Sequence, residues 1–404
     1  MVLAKRGFNV QVFEKRPPVG GDQAWVNRRS YYLLLDQRVV AALRAVGCVM
    51  NKLETHFKPC TGISLYKPNI AEAARHVDFP TNRTWFVERF QLLSFLLSEM
   101  ERLFGASNPI AVHYNHAVVG LDVGGKRVTF LTPSGERHVG YELLIGADGG
   151  SSRIRTAMKG QVPGFGFTVD KSYERYVSLM LDVSRYNAIK PLDLKFYPAN
   201  DWANPNPKSE PAGELTVVAF PNDRTMFHFA LHKDAVPRYT TKQDRVKCNQ
   251  LHGPSIILVG DAGHATTEKS GQGANSAIDD AHVLLRVLTE AEDLESVPAA
   301  FTKARLADVH TLYQFNRESL HSRGRHGFWC YPFLRDTNQF VVWGSLHKAL
   351  PWLVSPPALT LALEDEPVPY SACKQEMDRH LAMSAGAVAV LAAVGLRWAL
   401  SCLT

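Results

Sequence analysis

Residues 255–284 read SIILVGDAGHATTEKSGQGANSAIDDAHVL, and the order of residue types in this stretch decides the fold. Ile256 to Val259 is an apolar run too short for a helix and bounded by Pro254 and Gly260, which predicts a buried strand. Gly260-Asp261 ends it. Gly271-Gln272-Gly273 gives the backbone a turn with little side-chain hindrance, and from Asn275 onward Ala277, Ala281, Leu284 and Leu285 recur at helical spacing. Strand, polar loop, glycine turn and helix therefore follow one another. Such an arrangement aims unpaired backbone N–H groups and the positive end of a helix dipole at one point, where an anionic or electron-rich group can sit.

Nine positions in this stretch, Asp261, His264, Gly271, Gln272, Gly273, Asn275, Ala277, Asp280 and Ala281, together resemble the second flavin motif of the single-component FAD-dependent aromatic hydroxylases, the class that includes the kynurenine and p-hydroxybenzoate hydroxylases. The resemblance implies that Asp261 accepts a hydrogen bond from a ribityl hydroxyl of FAD. It also implies that the backbone of Gly271, Gln272, Gly273, Ala274 and Asn275 approaches the flavin ring. One position departs from the pattern: Glu268 stands where the family usually has Pro, and its charge would repel an anionic reduced flavin. His264 is read as structural.

A second stretch, Glu142 to Arg155 (ELLIGADGGSSRIR), has the same construction. Leu143 to Ile145 predicts a buried strand, Asp148-Gly149 a turn, and Ser152 to Arg155 the start of a helix. It resembles the DGxxSxxR motif of the same family, which implies that Asp148 and Gly149 help hold FAD and NAD(P)H. The two motifs stand in the family's order.

The beginning of the chain carries only part of a dinucleotide-binding unit. Met1 to Arg6 with Gly7 predicts the last turns of a helix with a glycine stop, and Phe8 to Glu14 a strand ending in an acidic residue. Glu14 is thereby the candidate for the ribose hydroxyls. No GxGxxG occurs anywhere in the sequence, so the turn that normally cradles the pyrophosphate has no residues to form it. The expectation is that upstream residues belong to the fold, or that tight FAD binding is lost. Asp36 is expected to cap a helix through Val46, closed by Gly47. The resemblance further implies a flavin- or phosphate-contacting Arg29, with a solvated Arg28-Arg29 pair as the alternative, and an FAD-contacting Arg89.

Around Arg89 the pattern predicts a strand end and a helix to Phe104, with Leu93, Leu96, Leu97, Met100 and Phe104 on its apolar face. Short β segments at 112–114, 117–122 and 127–131 predict an antiparallel meander. Runs at 176–183, 192–197, 214–220 and 225–232 alternate like an antiparallel sheet and resemble the family's substrate domain. The span from His232 to Pro254 is shorter than its family counterpart. Near the predicted strand Gly62 to Tyr66, Thr61-Gly62-Ile63 stand where kynurenine hydroxylases carry a carboxylate-binding Arg, which puts kynurenine itself in doubt as substrate. In the helix Ala299 to Leu320, Tyr313 matches a substrate-pocket Tyr.

Composition narrows the class. With 46% hydrophobic and 21% charged residues the 404-residue chain has a real core, and a net charge of +6 scattered over the sequence argues against a nucleic-acid partner. Six dispersed cysteines without CxxC spacing fit a reducing or cytosol-facing location and no metal site. No secretory signal is visible in the first residues. Leu381 to Leu396 carries no charge and, with its extension past Arg397 to Leu403, is about long enough to cross a bilayer, with Lys374, Arg379 and His380 as a basic flank. A buried Ala-rich core helix is the alternative. The aromatic, proline-broken stretch from Phe328 to Leu363 suits either a lid on the core or a membrane surface contact through Trp329, Trp343 and Trp352.

The fold expected is α/β: a Rossmann-like FAD-binding domain incomplete at the N-terminus, an antiparallel β-sheet substrate domain and a C-terminal membrane helix. Residues 1–165 and 251–325 are assigned to FAD binding, 166–250 to the substrate sheet, 326–380 to a helical region and 381–403 to a tail anchor. The resemblance implies an FAD- and NADPH-dependent monooxygenase that hydroxylates a small aromatic substrate with O₂ through a flavin C4a-hydroperoxide, with no acid–base dyad supplied by the protein. It would face the cytosol from a membrane, the mitochondrial outer membrane being one candidate. A lipid epoxidase or reductase of the same flavin fold, and a non-catalytic remnant that does not hold FAD tightly, remain open.

Overall fold

The computed structural model describes residues 1–18, 32–49, 57–60, 62–66, 73–78, 84–171, 174–182, 193–198, 214–219, 224–232, 244–267, 271–318, 335, 338–350, 352, 354–355 and 368–401. The expectations for Arg28, Arg29, Thr61, Glu268 and Trp329 lie outside these residues.

Helix α1 (Val2–Lys5) ends at Gly7, whose φ of 84° is open to a residue without Cβ, and leads to β1 (Val10–Phe13). Strand β2 (Tyr32–Leu35) runs into α2 (Gln37–Val46), capped by the Asp36 carboxylate on the Arg38 N–H and closed by Gly47 at φ 95°, as the sequence pattern requires. Strands β3 (Lys58–Pro59), β4 (Gly62–Tyr66), β5 (Ala73–Asp78) and β6 (Trp85–Glu88) precede α3 (Arg89–Phe104).

Helix α3 corrects the sequence reading. Its buried residues are Phe90, Leu92, Phe95 and Glu99, whereas Leu93 is exposed. The face rotates because Glu99 is drawn inside by two cationic or amide partners: Arg102 Nη2 at 2.6 Å and the Val49 N–H at 2.9 Å. A buried carboxylate so paired can displace a leucine from the core side.

Strand β7 (Ile110–His113) pairs in parallel with β1, Val10 opposite Ile110, so it does not join the meander expected of it. The meander is instead β8 (Ala117–Asp122), β9 (Arg127–Thr132) and β10 (Gly135–Gly140), with β9 central. Next come β11 (Leu144–Gly146), α4 (Arg153–Gln161) and β12 (Phe167–Asp170).

Strands β13 (Glu174–Asp182), β14 (Asp193–Pro198), β15 (Glu214–Ala219) and β16 (Arg224–His232) form the alternating sheet read from the sequence. The sheet has six strands in the order β13-β16-β15-β14-β4-β5, because β4 pairs in parallel with β14 and carries β5 with it. The chain returns through β17 (Arg245–Cys248), antiparallel to β12, and β18 (His252–Gly253) into β19 (Ile256–Leu258).

Helices then dominate: α5 (Asp261–His264), α6 (Gly273–Glu290), α7 (Val297–Glu318), a π-helical stretch Asn338–Trp343, α8 (Gly344–Ala349) and α9 (Tyr370–Ser401). The single turn α5 replaces the plain loop expected after Gly260. Ile256, Ile257 and Leu258 are fully buried, and one apolar cluster joins them to α2, α3, α4, α6 and α7. At about 25 cal/mol per Å² of apolar surface removed from water, this cluster is the main stabilising term of the core.

Candidate functional site

The two motif strands are hydrogen-bonded neighbours. β11 and β19 run parallel, with Leu144 opposite Ile256 and Gly146 opposite Leu258, so the Asp148-Gly149 and Gly260-Asp261 turns leave the same end of one sheet. Parallel α/β sheets place ligands at that end. Glycine is demanded by contact here: a Cβ on Gly146 would meet Leu258 Cδ2 at 2.8 Å, and one on Gly260 would meet Ala277 Cβ at 3.1 Å.

Arg155 fastens the two turns together. From α4 its guanidinium donates to the Ala262 carbonyl at 2.7 Å and to the Gly150 carbonyl at 2.6 Å, with only 3% of the residue exposed. Burial holds its pKa below the usual guanidinium value, against the pull of Cys248, Asp148 and Asp261. Ser152 caps α4 at the Arg155 N–H, 2.9 Å. The DGxxSxxR spacing was visible in the sequence, but only the fold shows that its Arg bridges to the second motif.

The motif aspartates differ in what they touch. Asp148 accepts from Ser152 Oγ at 2.5 Å, the Arg153 N–H at 2.7 Å and the Ile154 N–H at 3.2 Å, so both of its oxygens serve its own helix. Asp261 makes no side-chain hydrogen bond among the described residues and is exposed. Protein around it nevertheless raises its pKa above the usual carboxylate range; His264, Arg89 and Arg155 oppose that shift without cancelling it. The carboxylate is thus open to solvent yet partly desolvated by the protein around it. Arg89, at the first position of α3, acts on it electrostatically.

The glycine turn borders α6. Gly271 has φ +62° and Gly149 φ +81°, and a Cβ on either would meet nothing within 4 Å. No side chain caps α6, whose first residues are Gly273, Ala274 and Asn275. Asn275 is fully buried: its amide donates to the carbonyls of Leu34 and Gly271, and its Oδ1 accepts from the Asp36 N–H at 3.0 Å. Gln272 Oε1 accepts from the Tyr370 hydroxyl at 2.7 Å, and Tyr370 lies against the Arg38 guanidinium, 4.0 Å from its ring centroid. Nothing in the local sequence announces Tyr370 or Arg38, since their partners lie far away along the chain.

Under the turns lies a buried ionic network. Asp280 accepts from the Gly260 N–H and from His264 Nε2, each at 2.7 Å, and from Arg305 Nε at 2.7 Å. Arg305 also meets Asp279 at 2.8 Å, Asp308 at 3.4 Å and Ser276 Oγ at 2.9 Å. Burial pushes Asp280 up, but His264 and Arg305 outweigh it and hold the carboxyl below its usual range. His264 is thus a framework residue.

The remaining candidates are more scattered. Glu14 follows β1 and accepts from the Arg16 N–H at 2.9 Å through Oε1. Tyr313, on α7, donates to Asp170 Oδ2 at 2.5 Å and thereby ties α7 to the strand that leads into the six-stranded sheet. No cluster of three potential metal ligands occurs among the described residues.

The comparisons with known proteins agree with this geometry. The FAD binding domain family model matches residues 231–302, which span the β19 motif and α6. The chain is 24% identical over 353 residues to kynurenine 3-monooxygenase of Legionella pneumophila (strain Corby), covering 80% of this chain and 76% of that one. To kynurenine 3-monooxygenase of Drosophila melanogaster it is 25% identical over 337 residues, 77% of this chain and 71% of that one. Its fold matches 2-methyl-3-hydroxypyridine-5-carboxylic acid oxygenase with a TM-score of 0.63 at 16% identity, over 83% and 91% of the two chains. It matches a variant of Klebsiella pneumoniae HpxO, complexed with FAD, with a TM-score of 0.57 at 17% identity, over 78% and 84%. Matched domain and relatives agree on an FAD-dependent monooxygenase with FAD as cofactor, and the solved structures share its fold.

Proposed function

We propose that the protein hydroxylates a small aromatic substrate with NAD(P)H and O₂ in the manner of the kynurenine 3-monooxygenases. One observation carries the reading: the parallel β11–β19 pair, locked by Arg155, sets an Asp261 carboxylate unbonded among the described residues beside glycine turns whose outer faces are open. These residues fit a flavin. A carboxylate so placed suits a ribityl hydroxyl, and an uncapped helix start with a positive-φ glycine before it suits close approach of a ring.

Bound FAD supplies the reduction of O₂ and the transfer of oxygen to the ring. The chain's own residues orient and exclude. Asp261 would hold the ribityl chain, the backbone of Gly271 to Asn275 the ring, Glu14 the ribose, and Arg29 and Arg89 the ring or phosphates. Gly149 would let the dinucleotide approach closely, while Asp148 keeps α4 in place. Tyr313 acts on the substrate side through β12. Residues 1–165 and 251–325 serve the cofactor; 166–250, joined by β4 and β5, serve the substrate; 326–380 are the C-terminal helical region.

Helix α9 supports membrane attachment. Its candidate span, Tyr370 to Val394, holds an 18-residue apolar window of which 12% is buried, which favours an anchor over the core helix that was the alternative. We assign residues 381–403 as the tail anchor and place the catalytic part on the cytosolic side, with the mitochondrial outer membrane as the first compartment to test.

The test is the visible spectrum of the purified chain with and without added FAD. Flavin absorbance at about one equivalent per chain, followed by NADPH oxidation stimulated by an aromatic substrate, is the expected result. A colourless protein that takes up no flavin would support the non-catalytic reading. Turnover of an isoprenoid lipid in place of an aromatic acid would select the lipid epoxidase.

A further inference from the structure

The membrane reading of α9 leaves a second surface unexplained. Of the eleven exposed large apolar side chains among the described residues, seven fall between 342 and 394: Val342, Leu346, Trp352, Met383, Val388, Val390 and Val394. Four lie on α9. The other three lie on the π-helical stretch, on α8 and just after it, and Trp352 is 80% exposed. An indole left in water at that level needs a partner.

The same segment is pinned to α9 at one height. The Trp343 ring stacks on His380 at 3.8 Å between centroids and 14° between planes, and its Nε1 donates to the Ser355 carbonyl at 3.1 Å. Ser355 Oγ meets His380 Nε2 at 3.3 Å, and Gln339 meets His380 Nδ1 at 3.1 Å. His347 Nδ1 donates to the Val354 carbonyl at 2.7 Å. Trp343 is therefore 7% exposed and not a surface anchor, which corrects that part of the sequence expectation.

His380 directly precedes Leu381, where the uncharged run begins. Trp352 is three residues from Ser355, a reach of at most about 10 Å. It therefore lies within about 10 Å of the level at which that run begins, and Lys348, exposed on α8, provides a cationic rim. From Leu381 to Ser401 the helix is roughly 30 Å long, the thickness of a hydrocarbon core. An amphipathic ring at the end of such a span is where bilayer interfaces concentrate Trp.

We propose that Trp352, with Leu346 and Val342, forms a second membrane contact that inserts at the headgroup level of a phosphatidylcholine bilayer and fixes the orientation of the catalytic part against the membrane. The proposal rests on the reading of α9 as an anchor. A single helix leaves the domain free to swivel; a second contact beside it removes that freedom.

The experiment uses the full chain in phosphatidylcholine vesicles with and without bromine on the upper acyl carbons. Subtracting the emission of Trp352→Phe from that of wild type isolates Trp352. The expected result is that both proteins float with the vesicles and that the difference emission is largely lost on bromination. Flotation with an unquenched difference emission overturns the second contact and leaves the anchor standing. Failure of the wild type to float overturns the anchor and this contact together. Self-crosslinking of a Trp352→Cys variant in vesicles would make a second copy the occupant and also overturn the proposal. Leu346→Ser, which leaves the Trp343–His380 stack untouched, should weaken the quenching without changing flotation.

Discussion

The two motif turns are built alike, strand, turn and helix on adjacent parallel strands, yet they use their aspartates in opposite ways. Asp148 spends both oxygens on the start of α4, Oδ2 on its N–H groups and Oδ1 on the Ser152 hydroxyl, while Asp261, among the described residues, is left without a side-chain hydrogen bond. The first turn is therefore a framework, while the carboxylate of the second stays unbonded among the described residues. Beneath the second, the Asp280–Arg305–His264 network does for the turn what Asp148 does for its own helix, but with buried charge. The difference shows that a motif carboxylate cannot be assigned to a ligand before its hydrogen bonds are counted.

The contrast can be tested first where the largest effect is expected. Arg305→Met leaves Asp279, Asp280 and Asp308 without their shared cation, and breaking such a buried pair costs about 3–5 kcal/mol. Urea unfolding should show that loss, and a shift within error would mean the network is not what holds the second turn. Asp261→Ala should act on binding and not on folding. It removes a charged acceptor worth about 1.5–3 kcal/mol, so FAD affinity measured by flavin fluorescence should fall roughly tenfold to a hundredfold with a melt no lower than that of wild type.

Asp148→Ala should show the reverse pattern. Loss of the cap destabilises by about 1–2 kcal/mol, while flavin affinity changes only as far as α4 frays. If Asp148→Ala weakened FAD as much as Asp261→Ala without loss of stability, the contrast would collapse. Gly271→Ala places a Cβ at φ +62° in the open face of the turn, with a backbone penalty of about 1–2 kcal/mol. FAD binding weakened beyond what that loss of apo stability accounts for would sharpen the assignment of that face.

The smallest effect expected is in pH dependence, and the two carboxylates of the second unit oppose each other. Asp280 is held below the ordinary carboxylate value near ~3.9, so its stabilisation is present above that pH and is lost as pH falls through the lower folded value. Asp261 is raised, so the folded state holds its proton longer and stability declines as pH rises from ~3.9 through the higher folded value. Asp261→Asn should flatten that decline in pH-resolved melts, whereas steepening it would reverse the assignment.

Much of this was legible along the chain. Asp36 and Gly47 end α2 where their backbone chemistry requires, and Ile256 to Leu258 form a strand because a short apolar run between Pro254 and Gly260 has no other use. Where the reading slipped, a long-range partner was responsible. The buried face of α3 follows Glu99, whose ion pair with Arg102 and bond to Val49 a hydrophobic count cannot see. Residues 112–113 left the meander because β1 offered a parallel edge. On α6 the buried side chains include Asn275, Ser276 and Asp280, polar positions that periodicity places outside.

By itself the sequence determined the local units, namely strand–turn–helix at 144–161 and 256–290, their glycines and caps, the alternating sheet and the uncharged terminal run, because backbone conformation and side-chain periodicity act over a few residues. Only the tertiary structure decided which groups remain available. It set β11 beside β19, joined the turns through Arg155, closed the charges of Asp280 on Arg305, and brought Tyr370 to Gln272 and Trp343 to His380. The physical reason is that hydrogen bonds and buried ion pairs are satisfied across distance in the chain, so the role of the Asp261 carboxylate is defined by what the fold around it did not pair with it.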